Sequence, residues 1–191
     1  MEYTEIISKV KIYGLEDSFE ASKYPMSVDI DSLNGEYTPT IEKLGQSEKG
    51  EGHDHFLCGI VVQFDLTFTV KAWTEFERYH FADIVSSQST MHRITRFDLD
   101  KAYIKYVDER IIKIMKEKVA DYNESQDNEE RKRKYLEILY SNPCGMKLTA
   151  RITTNYLQLK TIYSQRRTHR LPEWRAFCKW VESLPYSNLI I

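Results

Sequence analysis

The sequence lacks the features that mark fibrous, disordered and membrane-spanning proteins. Its 191 residues include only 7 Gly and 5 Pro, which excludes collagen-like and low-complexity chains. No stretch approaches the roughly 18 consecutive apolar residues of a membrane span. The first residues also lack the basic and apolar segments of a signal peptide. We therefore expect a globular protein with neither a membrane-spanning segment nor a leader.

Charge and cysteine content exclude two further classes. The chain carries 27 Lys and Arg against 29 Asp and Glu, a net charge of −2. Domains that hold nucleic acid by bulk electrostatics are usually strongly basic, so no nucleic-acid partner is indicated. Cys58, Cys144 and Cys178 form no CxxC pair, which argues against a zinc site and a disulfide framework. We interpret them as buried, reduced thiols of a cytoplasmic protein.

Aromatic residues, by contrast, are abundant at 13% of the chain. Most of them fall on predicted core faces, so they are interpreted as packing residues. A smaller set, Tyr79, Phe81 and Tyr163, remains available to contact a flat ligand.

The clearest structural signal is a long strand. Ile60, Val62, Phe64, Leu66, Phe68 and Val70 recur at every second position, and the residues between them are polar apart from Val61. This period of two is typical of a strand with one buried face. Residues 5–14 and 147–153 predict two shorter strands. Trp73, Phe76, His80 and Ile84 recur at helical spacing, which predicts a helix over 72–85.

Helices dominate the rest of the chain. We predict helices over about 100–122, with Asp98 or Asp100 as the N-cap, and over 129–140. Two further helices are predicted over 155–165 and from Leu171 to near Pro185. These elements indicate one α/β (α+β) domain over residues 1–191. It has a small mixed or antiparallel sheet, packed helices and a long helical hairpin inserted at about 100–140.

Four groups of residues have side chains suited to binding. His53 and His55 form a His-x-His pair that could bind a metal, although no third ligand is evident. The polar segment Ser86–Thr90, followed by His92 and Arg93, suits an anion such as phosphate. Asn155, at the start of a helix, is suited to capping that helix or to contacting a ligand.

The fourth group is the densest. Arg166, Arg167, His169 and Arg170 lie between two predicted helices. Guanidinium groups match phosphate oxygens bidentately, and the N-terminus of the following helix also favours anions. This segment is therefore either a phosphate or carboxylate site or an exposed, salt-bridged loop. The basic run Arg131–Lys134 is either a solvated helix face or a phosphate-binding patch, and we favour the solvated face because the run is short and follows two glutamates. No Ser/His/Asp or Cys/His arrangement stands out.

The order of these motifs resembles that of the flavin-dependent thymidylate synthases. Gly52-His53 and Phe56 precede the long strand, which ends in the run Phe68-Thr-Val-Lys-Ala72. Thr153-Thr-Asn155 then precedes a Leu-containing helix, an arginine, a histidine and Glu173-Trp174. The resemblance covers roughly residues 52–180.

The resemblance implies a homotetramer that binds FAD and dUMP. It also implies reductive methylation that uses methylenetetrahydrofolate and NADPH. His53 and Asn155 would contact the flavin, and His169 would lie near the flavin or folate. Ser89 and Arg166, or Arg167 in place of Arg166, would hold dUMP, with His92 and Arg93 as further substrate-binding residues.

The sequence departs from the family pattern at two motifs. Where the family has Arg-His-Arg, a straight alignment places Ala82-Asp83-Ile84, and Ser-x-Arg-Tyr becomes Ser89-Thr-Met91-His92. Two alternatives to a methyltransferase therefore stay open. One is a non-catalytic protein that binds nucleotides or other proteins, and the other is a structural or regulatory oligomer.

Overall fold

Each strand of the chain is followed by one or more helices. The computed structural model describes residues 1–48 and 50–191. The strands within these residues are β1 (Ile7–Tyr13), β2 (Val61–Thr69), β3 (Asp83–Ser87) and β4 (Lys147–Asn155). The α-helices are α1 (Leu15–Ala21), α2 (Pro39–Gly45), α3 (Val70–Phe76), α4 (Thr90–Arg93), α5 (Glu109–Glu124), α6 (Asn128–Ser141), α7 (Tyr156–Arg166) and α8 (Pro172–Glu182).

The chain divides into two compact units. The first unit comprises Met1–Leu66, Phe76–Ser86 and Arg151–Ile191. The second unit comprises Thr67–Glu75 and Ser87–Ala150, and it contains the helical hairpin.

One four-stranded sheet has the order β1-β2-β4-β3. β1 pairs antiparallel with β2. β4 also runs opposite to β2, because Tyr156 N donates to Ile60 O at 3.0 Å and Val70 N donates to Met146 O at 2.9 Å. Inward and outward side chains alternate along β2, as its sequence predicts. The predicted small sheet with packed helices is confirmed.

The core of the first unit is built where β2 faces α8. The Phe64 ring lies 4.4 Å from the Trp180 ring and 6.1 Å from the Phe177 ring, centroid to centroid. All three rings are buried. Burial of each ring stabilises the fold by roughly 1.5–3 kcal/mol. The interpretation of these aromatics as packing residues is confirmed.

Gly14 joins β1 to α1, at a position that only glycine can occupy without strain. Its φ is +76°, and a Cβ at this position would lie 2.6 Å from Gly59 O. Both the left-handed backbone and the close approach exclude larger residues.

The second unit is organised around α5 and α6. Asp108 caps α5 by accepting from Arg110 N, and Asp127 caps α6 by accepting from Glu130 N. Seven of its buried residues form one hydrophobic cluster: Ile94, Leu99, Ala102, Tyr103, Met115, Ile138 and Met146. None of the described helices has the length and hydropathy needed to cross a bilayer.

The structure differs from three sequence predictions. The first hairpin helix begins at Glu109 and not near residue 100, because Tyr103 forms a β-bridge with Met146 and holds the chain extended. The helix predicted over 72–85 ends at Phe76, and Ile84 lies on β3. Cys178 is buried, but the thiol of Cys144 is exposed.

Candidate functional site

A linked group of side chains occupies one face of the first unit. Arg166 Nε donates to Tyr79 Oη at 2.8 Å, and Tyr79 Oη donates to Gln165 Oε1 at 3.0 Å. The Arg166 guanidinium also lies 4.7 Å from the centroid of the Trp174 ring, within the range of a cation–π interaction. Since Trp174 is fully buried, it gives Arg166 a rigid platform.

Local sequence explains why Arg166 lies at this place. Asn155 caps α7 by accepting from Gln158 N at 2.8 Å, and Arg166 is the last residue of that helix. A cation at a helix C-terminus is stabilised by the helix dipole. α8 then begins with Pro172, which sets Trp174 in the first turn of α8, beside the end of α7.

A cavity of about 390 Å³ opens beside Arg166. One wall is a single face of α7, because Gln158, Thr161 and Gln165 recur at intervals of three and four residues. The opposite wall is the connection between α3 and β3. The cavity is lined by Arg78, Tyr79, His80, Phe81, Gln158, Thr161, Gln165 and Arg166.

Cations and aromatic surface meet in this cavity. Arg78 and Arg166 supply two guanidinium groups, and the ring of Phe81 is 68% exposed. Guanidinium groups bind phosphate or carboxylate oxygens, and exposed rings stack on flat ligands. The cavity therefore combines groups that suit an anion with a ring that suits a flat ligand. None of the described residues that line it is Asp or Glu.

His169 lies at the edge of the same group. Its ring is 6.3 Å from the Trp174 ring and nearly perpendicular to it. Leu171 N donates to His169 Nδ1 at 3.2 Å, so Nδ1 is the acceptor nitrogen. The side chain is half-buried against Trp174 and does not line the cavity.

Arg167 and Tyr163 lie outside the lining of this cavity. Tyr163 Oη donates to Glu182 Oε1 at 3.0 Å. Burial, followed by this hydrogen bond, raises the pKa of Tyr163. Among the two arginines that the sequence offers as alternatives, Arg166 is therefore the one at the cavity.

Cys178 lies close to Arg166, but its thiol is not activated as a nucleophile. Burial raises the pKa of its thiol to about 12, so the thiol stays protonated at neutral pH. A thiol rather than a thiolate is a poor nucleophile.

His53 lies on a turn before β2 that depends on Gly52, whose φ is +79°. His53 and His55 are both exposed. Within residues 1–48 and 50–191, no group of three His, Cys, Asp or Glu side chains could hold a metal ion. The structure thus offers the His-x-His pair no third ligand among the described residues.

The remaining predicted residues belong to the second unit. Ser89 precedes the short helix α4, and His92 and Arg93 lie on that helix. His92 and Arg93 line a second cavity of about 750 Å³, and Ser89 does not. The structure thus brings His92 and Arg93 together, whereas Asn155, Arg166 and His169 belong to the first unit.

Sequence reasoning missed Arg78 and His80 as cavity residues. The helical spacing of Trp73, Phe76 and His80 placed these side chains in a longer helix. The chain instead leaves α3 after Phe76, so Arg78 and His80 lie on a connection that lines the cavity. A signal was present, since Arg78-Tyr79-His80 combines two basic side chains with an aromatic ring.

Comparisons with known proteins point to one fold. No family model matches the chain, and no curated protein matches it by sequence. A solved structure of a flavin-dependent thymidylate synthase from Helicobacter pylori, complexed with FAD and dUMP, superposes with a TM-score of 0.71. The two chains are 14% identical, and the match covers 96% of this chain and 98% of that chain. This chain has the fold of the flavin-dependent thymidylate synthases.

A second solved structure gives the same result. It is a Helicobacter pylori enzyme of the same kind with FAD and dUMP, with a TM-score of 0.70 and 14% identity. The match covers 94% of this chain and 95% of that chain. The fold expected from the sequence resemblance to flavin-dependent thymidylate synthases is thereby confirmed. The shared fold does not fix the function of this chain, because one fold carries many activities.

Proposed function

We propose that the chain binds a pyrimidine nucleotide of the dUMP type at the cavity beside Arg166. The observation that carries the proposal is the held guanidinium of Arg166, fixed by Tyr79 Oη at 2.8 Å and by the Trp174 ring. A fixed guanidinium loses little conformational entropy when it binds a phosphate. The solved structures that share this fold contain dUMP, which supports the choice of nucleotide.

The remaining lining residues suit the other parts of a nucleotide. Arg78 supplies a second cation for the phosphate, and Phe81 supplies a ring for the base. Gln158 and Gln165 carry amide groups that can both donate to and accept from a pyrimidine base. A volume of about 390 Å³ lies in the lower part of the range for small-ligand sites.

FAD fits this cavity in charge but not in size. The two arginines would suit a diphosphate, whereas about 390 Å³ is a space for a mononucleotide rather than a dinucleotide. We therefore assign no catalytic step to a flavin at this cavity. The flavin contacts of His53, Asn155 and His169 stay predictions from the resemblance. So does reductive methylation with methylenetetrahydrofolate and NADPH in a cytoplasmic homotetramer.

The experiment is a calorimetric titration with dUMP. Wild-type protein should bind one dUMP per chain, and Arg166→Gln should weaken binding by about tenfold or more, since a charge-assisted hydrogen bond contributes roughly 1.5–3 kcal/mol. Arg167→Gln is the matched control, because Arg167 adjoins Arg166 but does not line the cavity. Equal weakening in both variants, or no binding by the wild type, would refute the proposed site.

A second measurement separates an enzyme from a non-catalytic binding protein. The non-catalytic alternative is favoured by Ala82-Asp83-Ile84, which continue into β3 and provide no cation. Flavin that co-purifies with the protein, seen as visible absorption, would support the flavoenzyme. A colourless protein that binds dUMP but takes up no added FAD would support the binding protein.

A further inference from the structure

The second unit contains a larger and more basic cavity of its own. Its volume is about 750 Å³, which lies well within the range of sites for drug-sized ligands. One wall is a single face of α6, on which Asn128, Arg131, Lys132, Tyr135 and Leu136 recur at helical spacing. This wall belongs to the hairpin, for which the sequence predicts no site.

The opposite wall comes from α4 and the 3₁₀ turn that follows it. Tyr135 Oη donates to the Met91 backbone oxygen at 2.8 Å, which joins the two walls. Arg93 and Arg96 line the cavity from this side. Burial raises the pKa of the Tyr135 hydroxyl and the nearby Arg93 acts in the opposite direction, which agrees with Arg93 lying close to that hydroxyl.

Positive charge in this cavity is largely uncompensated. Of the described residues that line it, none is Asp or Glu. Lys132 is paired with Glu129 at 2.7 Å, whereas Arg93, Arg96 and Arg131 form no ion pair with any carboxylate that the structure describes.

Arg131 is also held in place. Its guanidinium lies 4.5 Å from the centroid of the Tyr122 ring, at the end of α5. Such stacking orients a guanidinium while it leaves the N–H edges open to an anion. The neighbouring Arg133 differs, because it lies off this face of α6 and pairs with Glu137 on its own helix.

We infer that this cavity binds a small ligand with two or more phosphoryl groups, such as a nucleoside polyphosphate. Three arginines without carboxylate partners match an anion that carries several charges, and guanidinium groups match phosphoryl oxygens bidentately. The amides of Asn123 and Asn128 add neutral hydrogen-bond donors. The volume of about 750 Å³ exceeds what a single phosphate ion would fill.

The inference does not rest on the proposed dUMP site. That site depends on Arg166 in the first unit, whereas this one depends on Arg96 and Arg131 in the second unit. The resemblance assigns only His92 and Arg93 in this cavity, and it assigns them to dUMP. The variants used for the two tests share no residue.

The test is a titration of the full chain with sodium tripolyphosphate at low salt. Wild-type protein should bind one equivalent, and added salt should weaken binding because exposed charges are screened. The double variant Arg96→Gln, Arg131→Gln should bind at least about tenfold more weakly, since it loses two charge-assisted contacts. Arg133→Gln is the matched control on the same helix and should bind as the wild type does.

Three further ligands make the result specific. ATP that binds more tightly than tripolyphosphate would show that a nucleoside contributes, and equal binding would indicate an inorganic polyphosphate; both results support the inference. Orthophosphate that binds as tightly as tripolyphosphate would overturn it, because one phosphoryl group would then suffice. A single-stranded oligonucleotide that binds far more tightly than ATP would overturn the assignment to a small ligand.

The variants themselves provide the remaining outcomes. Unchanged binding by the double variant, or equal weakening by Arg133→Gln, would also overturn the inference. The replaced side chains are exposed, so thermal unfolding should show that both variants fold as the wild type does.

Discussion

Replacing Tyr79 by Phe would remove one oxygen atom that two side chains of the cavity share. That oxygen accepts from Arg166 Nε at 2.8 Å and donates to Gln165 Oε1 at 3.0 Å. The charged hydrogen bond contributes roughly 1.5–3 kcal/mol and the neutral one roughly 0.5–1.5 kcal/mol. Because Arg166 is only half-buried and water can replace part of the loss, we expect the free energy of unfolding to fall by about 2 kcal/mol.

The aromatic contacts should survive this change, so the effect isolates the hydroxyl. The Tyr79 ring lies 6.0 Å from the Trp174 ring at an interplanar angle of 72°, and Phe can keep that geometry. Urea unfolding, followed by tryptophan fluorescence, measures the change. A loss of about 2 kcal/mol corresponds to a fall in Tm of about 4–8 °C for a chain of this length.

Tyr140→Phe provides the matched control, because Tyr140 is 88% exposed. Its stability should stay within about 0.5 kcal/mol of the wild type. Tyr79 also positions Arg166, so dUMP affinity should fall by about tenfold in Tyr79→Phe. A variant as stable as the wild type would refute the energetic reasoning. A variant that is less stable but binds dUMP normally would refute the positioning role.

Three further changes test other parts of the structure. Lys160 Nζ donates to Asp54 Oδ2 at 2.6 Å, and Lys160→Met removes this donor. Urea titrations should show that the free energy of unfolding falls by about 2–3 kcal/mol. A smaller loss would show that water replaces the amine. Cys144 is exposed and should react with a thiol reagent in the folded protein. Burial raises the pKa of Cys178 to about 12, so Cys178 should react only on unfolding. Fast labelling of Cys178 would contradict its burial. Burial raises the pKa of Tyr103 from 10.0 to about 12, so its stabilising contribution is complete below pH 10 and declines as the pH rises towards 12. Thermal unfolding over this range should show that the stability of the wild type falls more steeply with rising pH than that of Tyr103→Phe. The difference in slope should be about 1.4 kcal/mol per pH unit.

Elements that bury a regular face were predictable from the sequence. Burial alternates along β2 from Val61 to Phe68, and α8 places Trp174, Phe177 and Trp180 on one face. For these elements the spacing of apolar residues agrees with the tertiary packing, because each element buries one side.

β3 was missed because its strand pairing is not local. Gln88 N donates to Thr149 O at 2.9 Å, and Thr149 N donates back to the Gln88 side chain at 2.9 Å. That pairing holds the chain extended where the spacing of Trp73, Phe76 and Ile84 suggested one continuous helix. Hydrogen bonds between residues far apart in sequence leave no periodic trace near β3.

Only the local part of the candidate site was predictable from the sequence. Arg166 was accessible to sequence reasoning, because arginines clustered between two helices are a local pattern. Its fixation by Tyr79 was not, since the two residues are 87 positions apart. The second cavity was hidden in another way, because Arg131 is part of a short basic run that usually marks a solvated helix face.

The position of β3 at the end of the sheet order has a consequence for the solubility of the protein. All five residues of β3 are exposed, and Ile84 and Val85 are apolar. A strand at the rim of a sheet presents backbone groups that can pair with a strand of another molecule. Asp83 places a charge at the start of β3, and charges on outer strands oppose such pairing. Replacing Asp83 by a neutral residue should therefore make concentrated solutions more prone to aggregate without changing the fold.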